Sequence, residues 1–139
     1  MKQALHTIIV PTTGAGLYEF TDQATSFVKR AAIKEGLLTC FIRHTSASLV
    51  IQENADPDVR KDLNDFFANI ATSGPGFRHT IEGPDDIPSH IRSALTHTSL
   101  GIPLHEGLPM LGTWQGLYLF EHRDAPHRRE ITLHIIGEQ

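Results

Sequence analysis

A disulfide has no place in this chain of 139 residues, because it carries a single cysteine, Cys40. One thiol rules out an internal bridge and fits a reducing compartment. Basic surplus is missing as well: 12 Lys and Arg against 16 Asp and Glu leave a formal charge of −4. That balance argues against the basic footprint of a nucleic-acid binder, and no block of like charges offers a binding tail. Long apolar runs are absent too. None approaches the roughly 18 residues of a membrane-spanning helix, and the N-terminal stretch lacks a signal-peptide core. The expectation is a cytoplasmic protein with neither a nucleic-acid nor a membrane partner. Neither phosphate-cradling glycine motif is present, nor a G-x-S-x-G elbow, so bound nucleotide and elbow-type serine catalysis find no support.

The length and a 40% hydrophobic share are those of one domain, residues 1–139, large enough to bury a core. Residues 4–10 are rich in β-branched side chains and stop at Pro11, and residues 17–20 alternate, so both read as strands. Asp22 is placed to cap a helix whose stripe is Ala24, Phe27, Val28, Ala31 and Ala32, with Gly36 as its stop. Strands are expected at 37–43 and 48–53, with Cys40 on a buried position. Asp56 and Pro57 open the clearest helix, whose apolar face is Val59, Leu63, Phe66, Phe67 and Ile70, and Ser73-Gly74-Pro75-Gly76 ends it. A short helix near Pro88 would bury Ile91, Ala94 and Leu95. Strands at 99–104, 113–122 and 129–136 complete the chain. Grouped strands with inserted helices and hairpin-length turns predict an α+β domain. It would be a mainly antiparallel sheet or sandwich with two longer helices and one short one.

Nine histidines are present. His6 and His134 fall within alternating strands as exposed residues, while His97, His105, His122 and His127 sit at element ends or turns. His44, His79 and His90 keep different company. Thr45, Ser46 and Ser48 put hydroxyls beside His44, Glu82 follows His79 by three residues, and Asp85 and Asp86 precede His90. Three neutral imidazoles with one open position would make a catalytic zinc site, with carboxylates to orient ligands or carry protons. No tight H-x-x-x-H spacing joins them, so the fold would have to assemble the site from separate segments.

Four ordered motifs carry a resemblance: His44-Thr45-Ser46-Ala47-Ser48, Asn54-Ala55-Asp56-Pro57, the stretch Glu82-Gly83 to Ser89-His90-Ile91, and Gly112-Thr113-Trp114-Gln115-Gly116. The chain resembles, end to end, the YjbQ family of small bacterial and archaeal proteins, also labelled secondary thiamine-phosphate synthases. That resemblance implies a YjbQ-like α+β fold, a homotrimer with its site near subunit contacts, and one pocket gathering His44, His79 and His90. These three would hold a divalent ion, with zinc suited to imidazole ligation. Glu82, His44 and Ser46 are the implied catalytic residues, with Glu82 as proton carrier. Thr45, Ser46, Trp114, Gln115 and Arg128 are the implied substrate contacts. The implied reaction joins hydroxymethylpyrimidine diphosphate to thiazole phosphate and releases pyrophosphate, as a weak, secondary activity. The departing diphosphate needs cations, for which Arg43, Arg78, Arg92, Arg128 and Arg129 are the candidates. A non-enzymatic trimer that binds a small phosphorylated metabolite or a metal ion is the alternative. A purely structural ion is a third reading, weakened by the lack of thiolate ligands.

Overall fold

Strands with one apolar face must find a cover for it, and here two sheets supply each other's. The computed structural model describes residues 1–72 and 76–139. In chain order the elements are β1 (Lys2–Thr12), β2 (Gly16–Glu19), α1 (Thr21–Ala31), β3 (Glu35–Ile42), β4 (Ala47–Glu53) and α2 (Pro57–Ile70). Then follow α3 (Asp86–Leu95), β5 (Ser99–His105), β6 (Leu108–Pro109), β7 (Gln115–Glu121) and β8 (His127–Glu138). They form a five-stranded sheet, β1-β8-β3-β5-β6, and a three-stranded sheet, β2-β7-β4. Every pairing is antiparallel. This is the α+β class anticipated from the sequence.

Alternation along β8 sets the core. Ile131, Leu133 and Ile135 turn inward and lie opposite Ile42, Cys40 and Leu38 of β3. Ala47, Leu49, Leu117 and Leu119 of the small sheet and Phe20, Ala24, Phe27 and Val28 around α1 join the same cluster. Cys40 is fully buried, and that burial pushes its thiol up to about 12, so it is an inert core residue. On the other side of the large sheet, adjacent rows read Gln3, Ile136, Leu37, Pro103; Leu5, His134, Thr39, Gly101; and Thr7, Thr132, Phe41, Ser99. No Asp, Glu, Lys or Arg interrupts these rows, and Leu5 (68%), Phe41 (44%) and Leu37 (42%) remain exposed.

Besides β1, which runs on through Pro11 to Thr12, three details depart from the sequence reading. Asp22 does not cap α1: the helix starts at Thr21 after Phe20, which makes no side-chain cap, so Asp22 lies within the first turn. Nor does Gly36 stop that helix. Ala32 does, in a left-handed conformation, with its N–H on the Lys29 carbonyl. Gly36 instead faces Gly137 across β3 and β8, where an added Cβ on either would fall on the carbonyl of Ile136 or Glu35. Third, α3 does not bury an apolar stripe. Asp86, Pro88, Ser89 and Ser93 are its buried residues, whereas Ala94 and Leu95 are exposed. By contrast α2 begins as expected, with the Asp56 carboxylate accepting the Asp58 N–H at 2.9 Å and Pro57 in the first turn. Of its expected stop signal, Ser73, Gly74 and Pro75 lie outside the described residues. None of its apolar residues is fully buried: Val59, Leu63 and Phe67 are half-buried, Phe66 and Ile70 exposed.

Gly137→Ala should therefore lose more than about 2 kcal/mol, because two backbones must separate. Gly101→Ala meets only the Leu37 side chain, at an ordinary 3.8 Å, and should stay within about 1 kcal/mol of the parent. Urea denaturation of both variants checks this contrast, and equal losses would refute it.

Candidate metal centre

Asp86 is the first residue of α3 and its side chain is only 5% exposed. A buried carboxylate needs partners on both oxygens. Oδ2 lies 2.7 Å from His79 Nε2 and 3.0 Å from His90 Nε2, while Oδ1 accepts from Arg123 Nη1 at 2.8 Å. Among the described residues these three, His79, Asp86 and His90, bring one ligand atom each to within 4.8 Å of one another. His90 stands one helical turn after Asp86, so the two share a face of α3. His79 comes in from the preceding loop.

Arg123 ties that loop down. Its Nε donates to Asp85 Oδ2 at 3.0 Å and its Nη2 to the Glu82 carbonyl at 3.0 Å, and the Asp124 N–H adds a bond to Asp85 at 2.9 Å. Burial pushes the Asp86 carboxyl up. The hydrogen bond from His79 and the charges of His90 and Arg123 outweigh it, so the group is held below the ordinary carboxylate range.

The His90 ring carries the chemical signature. Its Nδ1 is 2.8 Å from the Thr45 carbonyl, which only accepts, so Nδ1 bears a hydrogen. Its Nε2 then faces a carboxylate, another acceptor. A neutral ring has one N–H, so this arrangement is met by an imidazolium or by a cation on the Nε2 lone pair. A backbone carbonyl orienting a histidine through its second nitrogen is the usual support of a metal ligand. Beyond His90 opens a cavity of about 290 Å³, lined by His44, Thr45, His90, Ser93, Ala94 and Thr98.

His44 borders this cavity but does not join the cluster of three. Its Nε2 accepts the Glu130 N–H at 2.9 Å and its Nδ1 lies 3.4 Å from Arg129 Nη1. Burial, then the Arg129 charge, hold His44 below the usual imidazole range. Behind it sits a buried ion pair. Arg129 Nε donates to Glu121 Oε1 at 2.8 Å, Thr12 adds a bond at 2.6 Å, and Arg129 Nη2 reaches the Ser46 hydroxyl at 3.0 Å. Ser46 thus faces the ion pair and is itself buried.

Thr45 contributes its carbonyl, and Glu82 is exposed apart from the carbonyl held by Arg123. Trp114, 62% exposed, and Gln115 lie at the opposite end of β7 from Glu121, about 20 Å away at the rise of a strand. Arg128 points to the outer face. Of the arginines, Arg92 is turned inward, with Nη2 on the Ala71 carbonyl at the end of α2 at 2.6 Å.

Sequence reasoning passed over two residues. Arg123, in the turn after β7, is absent from the basic candidates, and Asp86 enters only as a carboxylate to orient ligands or carry protons, not as a ligand itself. The i, i+4 spacing of Asp86 and His90 was the available signal.

A histidine–aspartate–histidine cluster, with Asp86 and His90 on α3 and His79 in the loop before it, lies on a two-sheet α+β domain and has the donor set of a candidate divalent-ion site. The chain belongs to the YjbQ-like UPF0047 family, whose pattern matches residues 6–138. A UPF0047 protein of Synechocystis sp. is 50% identical over 138 residues, covering 99% of this chain and 94% of its own. The YjbQ protein of Escherichia coli O157:H7 is 38% identical over 133 residues, covering 95% and 96%. A YjbQ/UPF0047-family crystal structure from Clostridium acetobutylicum superposes with a TM-score of 0.87 at 30% identity, covering 94% of this chain and 99% of that one.

His122, next to Arg123, is 1% exposed and bonded only through Nε2, to Ser48 Oγ at 2.9 Å. Burial first, then the Arg92 charge, push it down to about 3, against a smaller opposing pull from Glu121. The unfolded chain therefore binds a proton near pH 6.5 that the folded chain refuses. Stability is complete above that pH and falls as pH drops through the window towards 3. Between pH 7 and 5 this group alone should remove about 2 kcal/mol. Chemical denaturation at both pH values should show His122→Gln to be less stable at pH 7 but flatter with pH. An unchanged slope would disprove the buried neutral imidazole.

Proposed function

We propose that this protein is a metal-dependent enzyme for a small phosphorylated metabolite, with His79, Asp86 and His90 as the ion's protein ligands. The observation that carries this reading is the His90 ring, fixed by Thr45 so that its Nε2 meets the same carboxylate oxygen as His79. Ligand atoms around zinc are roughly 3.3 Å apart in a tetrahedron, so the separations of 2.7 and 3.0 Å would open slightly while the two histidine nitrogens, within 4.8 Å of each other, adjust to match. Arg123 occupies Oδ1 and leaves Asp86 one oxygen for ligation. Zinc suits two imidazoles and a carboxylate, with open coordination left towards solvent. When bound, the ion supplies positive charge to phosphate oxygens.

The finer proposal is a thiamine-phosphate synthase reaction of weak, secondary kind. Glu82, exposed in the loop between His79 and Asp86 with its backbone carbonyl held by Arg123, would carry the proton. Thr45 and Thr98 would offer hydroxyls to the substrate in the adjoining cavity. A second reading is favoured by one observation: Arg92, Arg123 and Arg129 all commit donors to protein acceptors. Few cations then remain for a leaving diphosphate, as a binding protein for a phosphorylated metabolite would have it.

Titration calorimetry with Zn²⁺ should give one ion per chain. Asp86→Asn and His90→Ala should abolish or greatly weaken binding, and Arg123→Ala should weaken it about 10- to 100-fold, with partial recovery in Arg123→Lys. Full affinity in Asp86→Asn would defeat the site. Incubating the zinc-loaded protein with the pyrimidine diphosphate and thiazole phosphate separates the two readings. Thiamine phosphate above the His90→Ala background supports the enzyme; ligand binding without product supports the binding protein.

The proposed homotrimer draws on the three middle rows of the large sheet's outer face, which carry no Asp, Glu, Lys or Arg and leave Leu5, Leu37 and Phe41 exposed. Light scattering should return three times the chain mass of 15.4 kDa. Phe41→Lys, in the middle of that face, should shift the mass towards one chain. A wild-type protein that runs as a single chain at micromolar concentration would end the proposal.

A further inference from the structure

The small sheet has two faces, and the one turned from the core is incompletely filled. Leu17, Val50 and Phe120 share that face by strand register. Above them α2 leans with Leu63 and Phe67, and the Phe67 ring meets Phe120 edge-on at 5.2 Å between centroids. Between helix and sheet lies a cavity of about 200 Å³ bordered by these five residues. Protein interiors are normally filled to crystal-like density, so a space of this size beneath a helix with no fully buried side chain is unusual.

Water is a poor occupant. An internal water needs two to four polar partners, and within the apolar part of the space the hydroxyl and amide oxygens on the border are already engaged, leaving the Gln52 amide nitrogen and the His97 ring at one edge. Thr96 Oγ1 bonds to Ser48 Oγ at 2.6 Å and to the Arg92 carbonyl at 3.0 Å, while Gln52 Oε1 accepts the Glu53 N–H at 3.0 Å. An apolar cavity of roughly 150 Å³ is sufficient for benzene. The helix that roofs this one holds few buried contacts, so it can lift to admit a guest at low cost.

We propose that the space between α2 and the three-stranded sheet is a second binding site, for a single aromatic ring or a short alkyl chain. The Gln52 amide and the His97 ring stand at its rim, where one polar substituent of the guest would lie. None of His79, Asp86 and His90 borders it, so the site stands or falls independently of the metal reading.

Indole is a suitable probe, read by calorimetric melting and by amide chemical shifts. At ten times its dissociation constant it should raise Tm by about 4 °C and move the amides of Leu63, Phe67 and Phe120. Filling the cavity with Val50→Phe, or from the helix side with Leu63→Trp, should abolish both effects. The second variant serves if the first fails to fold. No rise in Tm up to the solubility limit of indole would overturn the proposal. So would an equal rise in the filled variants, which would place the indole elsewhere.

Discussion

The geometry of the candidate centre follows from one demand: a carboxylate placed out of water must be matched on both oxygens. Asp86 meets that demand by drawing on three parts of the chain. The loop before α3 supplies His79, α3 itself supplies His90, and the turn after β7 supplies Arg123. Leaving such a charge unmatched costs several kcal/mol, so the contacts hold one another in place. Arg123 is the member that reaches furthest. By also gripping Asp85 and the Glu82 carbonyl, it fastens the loop to the sandwich and aims the free oxygen of Asp86 at the two imidazoles.

The segment 44–48 has a role different from the one its composition suggests. Its hydroxyls and its histidine look like reacting groups, yet most of its contacts are structural. The Thr45 carbonyl orients His90, the Ala47 carbonyl receives Ser93 Oγ at 3.1 Å, and Ser48 links Thr96 and His122. Ser46 completes the shell of the Arg129–Glu121 pair. Through these bonds β4 and the end of β7 become the bed on which α3 is laid, and α3 carries two of the three candidate ligands. The motif serves the site by positioning it.

What could be read from the sequence was whatever is written in apolar periodicity and end signals. The strands, the Asp56–Pro57 start of α2 and the buried alternation around Cys40 all follow from local patterns that tertiary structure did not override. The inward face of α3 was illegible for the same reason. A reading that follows Ile91, Ala94 and Leu95 cannot foresee a helix turned to bury Asp86, Ser89 and Ser93, because polar burial depends on partners far away in the chain. Arg123 illustrates this at its extreme, since its acceptors lie about 40 positions earlier. Gly36 shows the converse. Its proximity to a helix end suggested a stop, whereas the close approach of β8 is what requires it.

The choice between His44 and Asp86 as a third ligand rests on hydrogen-bond arithmetic. A neutral imidazole offers one acceptor and one donor. His44 has already given its acceptor to the Glu130 N–H, and its other nitrogen is turned towards the Arg129 guanidinium, which only donates. To ligate an ion, the ring would have to abandon the Glu130 amide and bring a cation close to a buried guanidinium. Asp86 needs nothing comparable: its free oxygen already faces both histidines, and an ion bound there would leave the Arg123 and Thr45 supports intact. The less rearrangement binding requires, the less ordering cost is subtracted from it. The set of two histidines and one carboxylate is therefore the preorganised one. His44 is better placed as a neutral wall, separating the Glu121–Arg129 pair from the cavity where a substrate would lie.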